Sequence, residues 1–469
     1  MAPVAMHESE SPSPSVSHPM LRHLIVAAAL AAAVSRTGAA QRLGPPEDRP
    51  RLRDVTDTND AQAYYNLGLA QFERDPDEAA AAFYWAARIN PASGEALYGR
   101  RAALLMKNKF LLRKVMEGDR RTIQSPEVRR LDSLEFRAMM LSPFLYQRLE
   151  RPMFLAYIRE QAATYSRMNR ESEPSRAELD FMIASYLQRA GPLTRAWVAY
   201  GEGDFDRALA NYANGLDGAR DKASVRLDRA RIFGMRSDVD SAVHEFNLAL
   251  AEMRTRDEKE LVIFYKTKAL AEYSIAVLLE GAGSADSARE AYGRALQEDL
   301  AYYPAHMRLG LMALGKKDTA TAASELALAT QLASEEPYLR YIHGWALGVA
   351  RRYPEAVAEL KQAVTLEPMY ALPYLRLGQI YEAQEKGPEA LEAYEAFLAH
   401  AAKTDLQREY ALGRASDLKE MLAFEKEHPR PADTPASGAT AAPAATPAAS
   451  TPPSPAAPAR TPAKPAAKP

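Results

Sequence analysis

Tyr374-Leu375-Arg376-Leu377-Gly378-Gln379-Ile380-Tyr381, followed by Ala390, Tyr394 and Phe397, is the stretch that decides the fold. Small residues here alternate with bulky ones at spacings that suit an antiparallel pair of helices. Gly378 and Ala390 let two backbones approach, while Tyr381, Tyr394 and Phe397 fill the space beside the contact. Pro368, just upstream in Thr365-Leu366-Glu367-Pro368, ends the preceding segment because it has no N–H to donate and clashes with the turn behind it.

The same pattern recurs every 34 residues. Ala208 and Ala242 are one interval apart; after an insertion, Ala288, Ala322, Ala356 and Ala390 follow in register. Four residues after each alanine stands Tyr212, Phe246, Tyr292, Leu326, Leu360 or Tyr394. Upstream of all but the first lies a second small residue: Ala230, Ala276, Gly310, Gly344 and Gly378. A further unit stands alone near the start, with Tyr64, Leu67, Gly68, Ala79, Phe83, Ala86 and Pro91.

These slots resemble the tetratricopeptide repeat, whose aromatic, Leu-Gly, Tyr, Ala, aromatic and Pro positions they fill in order. The resemblance covers a little under half the chain. It implies an all-α superhelical solenoid of antiparallel helix hairpins, in which each unit contacts its neighbours and one array absorbs the length of several domains. The expected order is a leader over 1–40, a linker over 41–60, the lone unit over 61–92 and degenerate hairpins over 93–191. The main array follows over 192–400, then a capping helix over 404–427 and a disordered Ala/Pro-rich tail over 428–469. Leu406, Tyr410, Leu418, Met421 and Leu422 are the expected inward face of the cap. The middle region reads as helical throughout, with Ser125-Pro126-Glu127 and Ser142-Pro143 as helix starts; a separate helical domain is the alternative.

Composition narrows the function. The 469 residues carry a formal charge of −2, which argues against a dedicated nucleic-acid protein. Arg100-Arg101, Arg113-Lys114, Arg120-Arg121 and Arg129-Arg130 nevertheless concentrate basic charge in the middle, suited to solvated helix faces or an anionic surface. The absence of cysteine removes disulfides, thiol catalysis and thiolate metal sites. Residues Leu24 to Val34 form a short apolar run after Arg22, with Thr37-Gly38-Ala39-Ala40 as a small-residue exit. That is the pattern of a secretory signal peptide, too short for a spanning helix. The expected location is therefore outside the cytoplasm, in the periplasm, with an inner-membrane anchor as the alternative if the leader stays uncleaved. Translation from Met20 would shorten the polar segment before it.

No arrangement of residues suggests an active site. The eight histidines lack metal-ligand spacing, and His244-Glu245 has no second histidine four positions on. Gly281-Ala282-Gly283-Ser284 lacks the lysine of a phosphate loop and reads as an interhelix turn. No cofactor and no metal are implied, and the chain reads as a non-enzyme.

In tetratricopeptide arrays the first helix of each pair lines an inner groove. Carried onto this chain, the resemblance puts Trp197, Tyr200, Tyr273, Val277, Met307, Leu311, Tyr338, Tyr341, Trp345 and Leu375 on that face, with Tyr65, Leu69 and Phe72 in the lone unit. Tyr381 and Tyr394 belong to the packing slots instead. The face is aromatic and lacks the lysine and asparagine clamp that co-chaperone members use for a terminal carboxylate. It implies a groove for an apolar protein or peptide segment, unless these side chains pack between units or are covered by another part of the chain. The expected role is an exported scaffold or adaptor with a protein partner and no nucleic acid. The alternative is an envelope-assembly or transport accessory working at a membrane surface, or on envelope polymer, through its basic middle.

Overall fold

The structure is a computed structural model that describes residues 42–52, 57–169, 172, 174–255 and 267–428. The leader and the Ala/Pro-rich tail lie outside the described residues. All regular structure among the described residues is helical.

The main array consists of six antiparallel pairs. They are α9 (Pro192–Gly201) with α10 (Phe205–Leu216), α11 (Lys222–Met235) with α12 (Val239–Thr255), and α13 (Lys268–Gly281) with α14 (Ala285–Glu298). Then come α15 (Tyr303–Gly315) with α16 (Thr319–Leu332), α17 (Pro337–Val349) with α18 (Tyr353–Leu366), and α19 (Ala371–Ala383) with α20 (Gly387–His400). The insertion falls between α12 and α13, and its residues 256–266 lie outside the described residues.

The repeat spacing becomes packing directly. Ala208, Ala242, Ala288, Ala322, Ala356 and Ala390 are all fully buried. A Cβ added to Gly310 would come 2.7 Å from Leu326, one at Gly344 2.7 Å from Leu360, and one at Gly378 2.8 Å from the Tyr394 ring. Each distance is inside van der Waals contact, so the paired helices approach only because no side chain stands there. Tyr394 is fully buried and satisfies its hydroxyl by donating to Glu382, 2.8 Å away.

The turns inside the pairs are equally regular. Gly203, Ser237, Gly283, Lys317, Arg351 and Glu385 all adopt positive φ, one per pair. Such a residue reverses the chain at the end of the first helix. The next residue then starts the second helix: Asp204, Asp238 and Asp318 accept backbone N–H groups of its first turn. At Tyr353-Pro354 and Gly387-Pro388 a proline just inside the helix replaces the acidic cap.

The N-terminal half is built on the same plan with an insertion. The lone unit is α1 (Ala61–Gln71) against α2 (Pro76–Ile89), and α2 packs on α3 (Gly94–Lys107). The partner of α3 is α6 (Pro126–Leu141), with α4 (Lys109–Met116) and the short α5 (Arg120–Ile123) inserted between them. Phe83 fills the gap between units: Cβ atoms at Gly68 and Gly99 would lie 2.8 and 2.5 Å from its ring. Next come α7 (Glu150–Asn169), lying on α4, and α8 (Arg176–Arg189).

Ser125-Pro126 starts α6 as expected, the serine side chain accepting from Val128 N. Ser142-Pro143 starts no helix. Its Ser142 N–H closes α6 on Ala138, and residues 142–149 turn back irregularly before α7. Phe144 there seats against Gly234 of α11, where a Cβ would come 2.3 Å from its ring. The C-terminal helix α21 (Arg408–Glu427) covers α20 with a face that only partly matches the expected one: Leu418 is buried and Leu422 half-buried as expected. Ala411 and Ala415 are buried beside Leu418, whereas Leu406 is 96 % exposed and Tyr410 and Met421 keep almost half of their surface in solvent. Small residues point inward here because α21 lies close on Tyr394 and Phe397, with Tyr410 reaching the Tyr394 ring edge-on.

Candidate interaction surface

The N-terminal half does not simply precede the array; it docks along the turns that join successive pairs. Glu336 precedes α17 and receives Arg137 of α6 at 2.8 Å. Glu367, at the end of α18, receives Arg42 at 2.7 Å and Arg88 of α2 at 2.9 Å. In the last turn of α20, the Ala399 carbonyl accepts from Asn59 at 2.8 Å. Glu367 and Arg42 are nearly or wholly inaccessible, so each charge depends on the other for compensation. Burial raises the Glu367 pKa, and the guanidinium groups of Arg42 and Arg88 oppose that rise.

This docking distributes the aromatic face into separate environments. Tyr273 on α13 is fully buried, and its hydroxyl donates to the Met140 carbonyl of α6 at 2.8 Å. Trp197 stands edge-on to Phe154 of α7 at 4.9 Å, and Tyr200 lies 5.3 Å from Tyr146. The Tyr200 hydroxyl accepts from Gln147 N at 3.0 Å, and burial pushes its pKa up to about 12, so it remains protonated. Met307 and Leu375 are core residues.

Tyr341 is buried too, flanked by Tyr338 at 6.5 Å and by Tyr370 of the following turn at 5.4 Å. Leu311, Tyr338 and Trp345 keep part of their surface in solvent. Trp345 carries the Arg376 guanidinium over its ring at 5.2 Å, and Arg376 donates to Gln379 at 2.9 Å. Leu311 and Trp345 occupy the same slot of successive repeats, 34 residues apart. Trp197, Tyr200 and Val277 also keep part of their surface, so the face is accessible in pieces; on α15 and α17 the accessible part forms a strip bordered by Arg376 of α19.

Two features have no counterpart in the sequence reading. One is the set of ion pairs between the halves, because Glu367-Pro368 reads only as a repeat end and Glu336 stands out in no pattern. The other is a charged cluster between α3, α6 and α7. Arg101 faces Glu135 at 3.0 Å, Asp132 at 3.6 Å and Glu150 at 3.9 Å. Desolvation raises the Glu150 pKa to about 7, Arg101 opposing and Glu135 adding to it. The basic pairs Arg120-Arg121 and Arg129-Arg130 are exposed on α5 and α6. No group of histidines and acids among the described residues could hold a metal ion, and no described helix is long and apolar enough to cross a membrane.

Comparison with known proteins agrees with the repeat slots. A family model described as tetratricopeptide repeat matches residues 193–257 and 273–337, and one described as TPR repeat matches 352–385. No curated protein sequence matches the chain significantly. Among solved structures, the C-terminal part of a TPR repeat-containing protein from Cytophaga hutchinsonii is 15% identical with a TM-score of 0.41, covering 51% of this chain and 89% of its own. YrrB, described as a TPR protein with an unusual peptide-binding site, is 16% identical with a TM-score of 0.35, covering 45% and 97%. A double mutant of MamA is 17% identical with a TM-score of 0.33, covering 38% and 94%. Repeat spacing, helix pairing and the family matches converge: the chain is a tetratricopeptide-repeat protein.

Proposed function

We propose that this protein is an exported, non-catalytic scaffold that holds an apolar protein segment along the strip formed by Leu311, Tyr338 and Trp345. The observation that carries the reading is Trp345, a large aromatic on a repeat face that stays partly in solvent beneath one arginine. A long flexible guanidinium is readily moved aside, and an aromatic so placed is a typical anchor for a partner side chain. Tyr341, by contrast, supports the strip from below. Export rests on the apolar run Leu24 to Val34 and its small-residue exit.

Capture of protein partners from envelope extracts by Trp345→Ala tests the strip. At least a tenfold loss with unchanged circular dichroism is expected, and undiminished capture rejects the site. The exposed quartet Arg120, Arg121, Arg129 and Arg130 supports a second reading, attachment to an anionic membrane surface. Its replacement by glutamine should then abolish a salt-sensitive component that Trp345→Ala leaves intact. Intact-mass measurement on fractionated cells tests export: a mature start near Gln41 is expected, and a soluble cytoplasmic form retaining Leu24 to Val34 overturns it.

A further inference from the structure

Residues 42–49 (Arg-Leu-Gly-Pro-Pro-Glu-Asp-Arg) lie in a site made by α1, α2, α3 and α6, and that site addresses their backbone. Arg137 donates to the Arg42 carbonyl at 2.9 Å. Arg100 donates to the Leu43 carbonyl at 3.1 Å, the Pro45 carbonyl at 3.0 Å and the Glu47 carboxylate at 2.9 Å. Trp85 donates to the Glu47 carbonyl at 3.1 Å. Arg100 has no exposed surface; it also donates to the Ala80 carbonyl at 2.8 Å and lies 5.2 Å over the Tyr84 ring.

The chemistry of the two sides matches. Pro45 and Pro46 have no N–H, so this stretch presents carbonyls without the donors that would otherwise need partners. The site answers these carbonyls with guanidinium and indole donors. Leu43 is fully buried as an apolar anchor, and Gly44 turns the chain at φ +85°. At the far end Arg49 lies 4.6 Å over the Trp85 ring and donates to the Tyr64 hydroxyl at 2.9 Å. Pro45, Pro46 and Asp48 face solvent, as in a bound ligand rather than a core strand.

We propose that α1, α2, α3 and α6 form a binding site for a proline-containing segment with a leucine anchor, and that residues 42–49 fill it as an intramolecular ligand. Seated, the segment also latches the first units to the last repeats through Arg42 and Glu367. Because the segment precedes α1 in the chain, it can leave without breaking a helix pair, and the same sequence supplied in trans exchanges with it. The site is separate from the Trp345 strip, so the two proposals fail independently.

The chain has no cysteine, which makes Leu43→Cys a clean reporter in the protein starting at Gln41. Thiol labelling should be at least tenfold slower than in the same protein unfolded in denaturant. Excess synthetic peptide of residues 42–52 should restore labelling saturably, whereas that peptide carrying Leu43→Asp should not. The unsubstituted protein provides a second measurement, tryptic cleavage of the Arg42–Leu43 bond, which the peptide should accelerate in parallel. Labelling and cleavage at unfolded-state rates without peptide would show that the segment is not seated. Protection that persists at saturating peptide, or release by both peptides alike, would show that no exchangeable site exists.

Discussion

Arg88 of α2 and Glu367 at the end of α18 meet at 2.9 Å although 279 residues separate them in the chain. Their contact closes a repeat array whose other contacts are mostly between neighbours. With Arg42 on its second oxygen, Glu367 is a fully buried carboxylate held by two guanidinium groups.

Glu367→Ala should therefore cost about 3–5 kcal/mol, the usual penalty for removing one partner of a buried ion pair. Urea unfolding measures it. The loss should be smaller where Arg42 escapes to solvent together with its segment. A change below about 0.5 kcal/mol, the range of ordinary surface substitutions, would show that the pair adds nothing to the closure.

Gly378→Leu should destabilise the pair α19–α20 by about 1–3 kcal/mol or more, because even a Cβ meets the Tyr394 ring at 2.8 Å. In a repeat array the effect should concentrate on adjacent units and broaden the transition. Thermal unfolding followed by circular dichroism, unchanged in midpoint and width, would contradict the packing described.

The left-handed turn residues carry a separate cost. Arg351 sits at φ +58°, a conformation that costs an L-residue about 1–2 kcal/mol and glycine nothing. Part of the relief in Arg351→Gly is offset by the greater freedom of glycine in the unfolded chain, about 0.4–1 kcal/mol. A net gain near 0.5 kcal/mol is expected, and Arg351→Val, β-branched at the same φ, should fall below the parent. Equal stability of the two variants would mean that the turn relaxes.

Glu150 should make stability fall as pH rises toward neutrality. Its folded pKa is raised from the model-compound value of 4.5 to about 7, so between those values the folded chain holds a proton that the unfolded chain has lost. The contribution is full below pH 4.5 and disappears as pH passes about 7. Its upper bound is about 3.5 kcal/mol, at about 1.4 kcal/mol per unit. Glu150→Gln should flatten the denaturation midpoint over pH 5–7, and an unaltered pH profile would remove Glu150 from the cause.

The 34-residue spacing determined the helix pairs, their order and the close approaches at Gly310, Gly344 and Gly378, because each slot meets a partner a few residues or one repeat away. Periodicity records such local partners. It carries no trace of a contact such as Arg42 with Glu367, whose members belong to different parts of the chain and obey no common register. Tertiary structure alone therefore decided that Tyr273 would be buried on Met140, that Trp197 would meet Phe154, and that Trp345 would lie under Arg376 with part of its ring in solvent. It also decided the fate of the capping helix: an amphipathic pattern offers several apolar residues, and the distance to Tyr394 and Phe397 buries Ala411 and Ala415 beside the expected Leu418 and leaves Tyr410 and Met421 partly in solvent. A sequence states which side chains would gain from burial, but only the arrangement of the whole chain determines which of them find something to bury against.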